Sequence, residues 1–244
     1  GEYEISVAAL IYGGGGNDVI RGGDLGNDLF GEDGDDTLFG GRLDDWLFGG
    51  DGDDILYAGA TADGLNAGSG NLLQGEAGND QLFGGDGSDW LEGGTGVDVI
   101  IAGAGDDVLS GGADDGDQLH GGLGNDQFLF RLGDGADVFQ DGGLPPADPD
   151  LPALSPTVAD HVQRVTAFGD IRIEDWRGIS VHERVDGNAA GGEDVLVLGA
   201  GIGWENIRLT RGEGANSDDL ILTILDIGPD GTATPTDDVV TLKD

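Results

Sequence analysis

Apolar residues recur in this chain at nine-residue intervals. Ile20, Leu29, Leu38, Leu47, Leu56 and Leu65 form the first series. One residue is lost near Asn71-Leu72-Leu73, and the series resumes at Leu73, Leu82, Leu91, Ile100 and Leu109. One is gained at Ala113-Asp114-Asp115-Gly116, after which it closes on Leu119 and Phe128. A second series runs two positions ahead of the first. It holds Asp18, Asn27, Asp36, Asp45, Asp54 and Asp63, then Asp80, Asp89, Asp98, Asp107, Asp117 and Asp126. A fixed short period of this kind marks a stack of identical supersecondary units. Only three residues follow each acidic position before glycine returns, so each unit can hold one short strand with its central apolar side chain on one face.

Composition sharpens the picture. The 244 residues include 51 glycines, 37% are hydrophobic, and the formal net charge is -39. Self-repulsion at that charge keeps a chain unfolded unless something neutralises it. The apolar fraction is nevertheless too high for a solvating tail. The two facts are compatible if cations bind between the acids. Nucleic acid, anionic membrane surfaces and polyanions are disfavoured as partners by the same charge. There is no cysteine, hence no disulfide framework, and metal is the alternative staple. No apolar run approaches the roughly 20 residues of a membrane span. The chain begins at Gly1 and reads as a piece of something larger.

The units Gly13 to Arg21, Gly31 to Phe39 and Gly49 to Tyr57 spell the nonapeptide GGxGxDxUx, U being apolar. On this motif, region 13–130 resembles the RTX (repeats-in-toxin) family. The resemblance implies an all-β chain: a right-handed parallel β-roll followed by a β-rich cap. The first six residues of each unit would then form a Ca²⁺-binding turn and the last three a strand.

With two units per coil, each unit stacks on the next but one, about 4.8 Å away. Asp18, Asp36 and Asp54 then fall into one edge column, and Asn27, Asp45 and Asp63 into the other. Carboxylates so stacked repel by roughly 1 kcal/mol per pair even in water. Calcium, which takes six to eight oxygen ligands, turns that repulsion into a bridge. Glycine turns supply carbonyls because they reach left-handed conformations that a Cβ resists. Multiple Ca²⁺ ions are therefore expected, held by the twelve members of the acidic series named above. Asn27 lacks charge but can ligate through its amide oxygen. The pattern weakens between Ala58 and Gln74, where sites are expected to be missing and two roll segments to join.

Phe30, Phe39, Phe48 and Tyr57 at the ninth position, with Trp46 and Ile55 at the seventh, are expected to face outward. They read either as a docking surface for an adjacent domain or a glycan, or as cross-strand packing covered by the segment Tyr3 to Tyr12. His120 is likewise placed outward.

The organisation expected is a flanking segment 1–12, the roll 13–130 with its break near 58–74, and a capping region 131–244 with a Pro-rich insertion at 143–157. Strands are expected at His161 to Phe168, Ile171 to Trp176, Asp194 to Leu198, Ile207 to Thr210, Leu220 to Asp226 and Val239 to Leu242. The segment from Glu193 to Leu222 is similar to the capping region that follows RTX repeats. The tail Asp237 to Asp244 has the acidic and apolar character of a type I secretion signal.

No catalytic constellation emerges. His182-Glu183-Arg184-Val185-Asp186 lacks the second histidine of HExxH, and there is no GxSxG elbow. Asp226 to Asp237 mimics an EF-hand loop with Gly228 at a ligand position, and reads as a hairpin. Asp148-Pro149 lacks the surroundings of a self-cleaving module. The reading is a non-enzymatic calcium-binding module of a secreted, extracellular bacterial protein, exported by type I machinery and folding on Ca²⁺. The alternative is a carbohydrate- or surface-binding module on the same scaffold.

Overall fold

The computed structural model describes residues 8–59, 70–114 and 116–140. Beyond these it describes 170–174, 180–181, 193–198, 202, 207–211, 220–227 and 232–242. Every regular element among them is a strand. None of the described residues forms a helix long and apolar enough to cross a membrane.

Consecutive repeats alternate between two sheets. The first takes β1 (Leu10–Gly15), β3 (Asp28–Asp33), β5 (Trp46–Asp51), β7 (Leu72–Ala77), β9 (Trp90–Thr95), β11 (Val108–Ala113) and β13 (Gln127–Phe130). The second takes β2 (Val19–Arg21), β4 (Thr37–Phe39), β6 (Ile55–Tyr57), β8 (Gln81–Asp86), β10 (Val99–Ala104), β12 (Gln118–Leu123) and β14 (Ala136–Gln140). All pairings within these two sets are parallel. The result is a parallel β-roll, as the nonapeptide pattern implied.

Strand alternation sends the eighth residue of each unit inward. Leu29, Leu38, Leu47, Leu56, Leu73, Leu82, Leu91, Ile100, Leu109, Leu119 and Phe128 are fully buried between the sheets. Burial of each such side chain stabilises the roll by about 1.5–3 kcal/mol. Leu65 lies outside the described residues.

The break near 58–74 does not divide the roll. Trp46 pairs with Leu72 and Ile55 with Gln81, so β5 lies directly on β7 and β6 on β8. The chain between them is longer than one coil, and the stack closes across it because backbone pairing and the Leu47–Leu73 register continue on both sides. Stacking also runs further than expected at both ends. It starts at Leu10 in β1, and continues past Phe130 into β14, where Phe139 joins the buried core.

The C-terminal strands extend both sheets rather than forming a separate layer. In the first sheet, β17 (Glu193–Leu198) adds parallel to β13, followed by β15 (Asp170–Glu174) and β16 (Ser180–Val181). In the second, β20 (Ala233–Leu242) adds parallel to β14, followed by antiparallel β19 (Leu220–Ile227) and β18 (Ile207–Arg211). The roll's last strands therefore have no open edge, which removes a template for aggregation. Ile227 faces Ala233 across a hairpin, not an EF-hand. Most of the presumed secretion tail, from Asp237 to Leu242, lies within β20. His161 to Phe168, the Pro-rich stretch, Asp148-Pro149 and His182 to Asp186 lie outside the described residues.

The ninth-position aromatics pair with one another, half-buried at Phe30, Phe39, Phe48 and Tyr57 and buried at Phe83. Tyr12, Phe30 and Phe48 stack along the first sheet at 4.9 and 4.8 Å, and Phe39, Tyr57 and Phe83 along the second at 5.1 and 4.7 Å. Tyr12 is a rung of this ladder, not a cover over it. His120 is a correction: it is buried, with Ile101 beside it in register on the neighbouring strand.

Candidate metal centre

The turns joining the two sheets form both edges of the roll, and each edge carries a column of sixth-position side chains. One column runs Asp18, Asp36, Asp54, Asp80, Asp98, Asp117 and Asp137. In each pair the backbone N–H of the upper residue donates to Oδ1 of the next at 2.7–3.1 Å. The other column runs Asn27, Asp45, Asn71, Asp89, Asp107 and Asp126, linked in the same way at 2.7–3.0 Å. The expected stacking is present, with two corrections. Asn71 occupies the place assigned to Asp63, because the step from Asp45 spans 26 residues instead of 18. Asp63 itself lies outside the described residues. Asp137 ends its column as an addition to the twelve positions of the sequence series, and Asp137 and Phe139 repeat the spacing of every earlier acid and apolar pair.

A second ladder at the fifth position runs the opposite way. Asp35, Asp53, Asn79 and Val97 each donate a backbone N–H to the side-chain oxygen of the coil before, from Asn17 Oδ1 to Asn79 Oδ1, at 2.8–3.2 Å. Successive turns are thus stitched in both directions.

Oδ1 of Asp36, Asp45, Asp54, Asp80, Asp89, Asp98, Asp107 and Asp117 accepts a backbone N–H from the coil before. Oδ2 of Asp36, Asp45, Asp54, Asp80, Asp89, Asp98, Asp107 and Asp117 is buried with no hydrogen-bond partner. Position-one glycines hold these atoms close. A Cβ on Gly40 would lie 2.5 Å from both Asp45 Oδ2 and the carbonyl oxygen of Ala58. The carboxylate and a carbonyl of the next coil thus converge where only hydrogen fits. Asp18 differs, being half-buried in the first coil of its column.

Burial is the largest influence on these acids. It raises Asp36, lifts Asp45, Asp89 and Asp98 to about 6, and Asp54 and Asp117 to about 7. Asp80 and Asp137 rise to about 8 and Asp107 to about 9, with like charges in the column adding to the effect. Backbone hydrogen bonds oppose the shift and do not cancel it.

Among the described residues, no three His, Cys, Asp or Glu side chains converge as in a compact metal centre. An ion here must take carbonyl oxygens along with carboxylates, which is the donor set of calcium, not of zinc. The donors fit: orphaned carboxylate oxygens, each beside a glycine-rich turn.

A parallel β-solenoid with buried carboxylate columns along both turn edges belongs to the class of metal-binding β-rolls. Residues 12–44, 39–71, 67–100, 83–116 and 92–128 match the RTX calcium-binding nonapeptide repeat (4 copies), and the repeat block of this chain belongs to that family. That repeat is a structural, calcium-binding one. No curated protein matched the chain.

Proposed function

We propose that this chain is a calcium-responsive folding module, with no enzymatic activity of its own, from a secreted bacterial protein. The observation that carries the reading is the set of buried, unpartnered Oδ2 atoms in the two columns. Each unsatisfied buried acceptor costs about 1–3 kcal/mol, and more when charged. Several together rival the whole stability of a domain, about 5–15 kcal/mol. Without a cation the charged fold cannot stand.

Asp36, Asp45, Asp54, Asp80, Asp89, Asp98, Asp107, Asp117, Asp126 and Asp137 would hold the ions with turn carbonyls. Calcium supplies positive charge and oxygen coordination, and its binding free energy becomes folding free energy. RTX repeats are typical of secreted bacterial proteins. A chain unfolded in the low calcium of the cytoplasm suits passage through a type I export channel and folds outside. Circular dichroism at neutral pH with EDTA and with millimolar CaCl₂ tests this: substantial strand signal should require calcium. A folded chain in EDTA at neutral pH would reject it.

Trp46 and Trp90 favour a second reading. They are 53% and 43% exposed and sit in one outward row, with Leu72 between them in register. A glycan platform would use them. Titration of neutral and acidic oligosaccharides in calcium buffer, read by tryptophan fluorescence, decides it.

A further inference from the structure

Asn27 breaks the pattern of its column in a specific way. Its Oδ1 behaves as the aspartate Oδ1 atoms do, accepting backbone N–H groups from Ala9 at 3.0 Å and Gly23 at 3.3 Å. Its Nδ2 sits where those residues carry Oδ2: a Cβ on Gly22 would lie 2.5 Å from Asn27 Nδ2, as one on Gly40 would from Asp45 Oδ2. Around Nδ2 gather the carbonyl oxygens of Leu25, Gly23 and Gly40, at 2.5, 3.2 and 3.3 Å, and Asp45 Oδ1 at 2.8 Å. Asn27 is 1% exposed, so water does not compete for these bonds.

Three carbonyls and a carboxylate around one point are the donors calcium selects. Here an amide N–H₂ with two hydrogens meets them instead. We infer that the Asn27 amide takes the place of a calcium ion in this turn, which therefore closes without metal. This rests on the calcium reading above and refines it. The sequence reading of Asn27 as a ligand through its oxygen is reversed, since that oxygen is committed to backbone. Asn71 makes the equivalent bond, Nδ2 to Asp89 Oδ1 at 2.8 Å. The start of its turn, 66–69, lies outside the described residues, so the inference is confined to Asn27.

The consequence is a roll whose two edges depend unequally on calcium. The edge beginning at Asp18 is acidic throughout, whereas the edge beginning at Asn27 has a turn held by neutral hydrogen bonds.

The test counts bound calcium per chain by equilibrium dialysis and elemental mass spectrometry. Asn27→Ala should bind as many ions as the wild type, because no ligand is lost. Asn27→Asp should bind one more, because a carboxylate oxygen replaces the donor among the same carbonyls. Should Asn27→Asp fail to fold, calcium-grown crystals of the wild type decide: their anomalous map should show no ion within about 2.6 Å of the Leu25 carbonyl oxygen. Loss of an ion in Asn27→Ala, an unchanged count in folded Asn27→Asp, or an ion on that carbonyl overturns the inference alone. Zero calcium in all three proteins overturns the calcium reading, and the inference with it.

Discussion

The backbone N–H of Asp89 donates to Oδ1 of Asp107 at 2.8 Å, while Oδ2 of the same carboxylate is buried without a partner. One oxygen sets the spacing between coils and the other is left for a cation. That division of labour repeats along both columns and makes each aspartate part of the backbone as much as a ligand.

Asp107→Ala removes both roles at once. With calcium saturating, the variant should lose about 1–3 kcal/mol of unfolding free energy and bind fewer ions than the wild type. Urea unfolding in calcium buffer, paired with the dialysis count, measures the two effects. An unchanged midpoint would show that the column does not bear on stability.

Acid should substitute in part for calcium. The column acids have their folded values raised from 3.8 to between about 6 and about 9, so the folded chain binds more protons than the unfolded one. By linkage, stability of the calcium-free chain is greatest at low pH and is lost as pH rises through those folded values. In EDTA, strand signal should grow as pH falls from about 9 towards 4. With calcium present the sign reverses, because protons compete for the ligands. A flat pH response in EDTA would contradict the buried columns.

Backbone conformation gives an opposed pair of substitutions. Gly50 has φ of 120°, and a Cβ there would run into the Glu32 backbone, whereas Glu32 itself carries a side chain at φ of 77°. Gly50→Ala should cost more than about 1 kcal/mol, and Glu32→Gly should gain about 1 kcal/mol by relieving the left-handed residue. Thermal unfolding in calcium buffer reads both. Equal effects of the two changes would refute the assignment.

The cap is latched to the roll by Asp238 in β20. Its Oδ1 accepts from the N–H groups of Gly133 at 3.0 Å and Gly135 at 3.3 Å, more than a hundred residues earlier. Asp238→Ala should cost about 1–3 kcal/mol and speed hydrogen exchange at those two amides, leaving the Asp36 and Asp54 turns unaffected. Uniform acceleration along the roll would point instead to global destabilisation.

Much of this architecture is determined by local sequence. The nine-residue period calls for short strands and, by strand alternation, places Leu29 through Phe128 on one face, while the resemblance of the nonapeptide to RTX repeats implied the parallel roll that sets Asp36, Asp54 and Asp98 on a turn edge. The tertiary structure alone decided which coil rests on which after Tyr57, since backbone pairing can close over an insertion and seat Asn71 beneath Asp45. It alone brought Asp238 to Gly133 and Gly135, because contacts across a hundred residues leave no periodic trace. It also gave Asn27 its role: the type of residue is visible in the chain, but whether an amide meets an ion or replaces one depends on the oxygens that the neighbouring coils turn toward it.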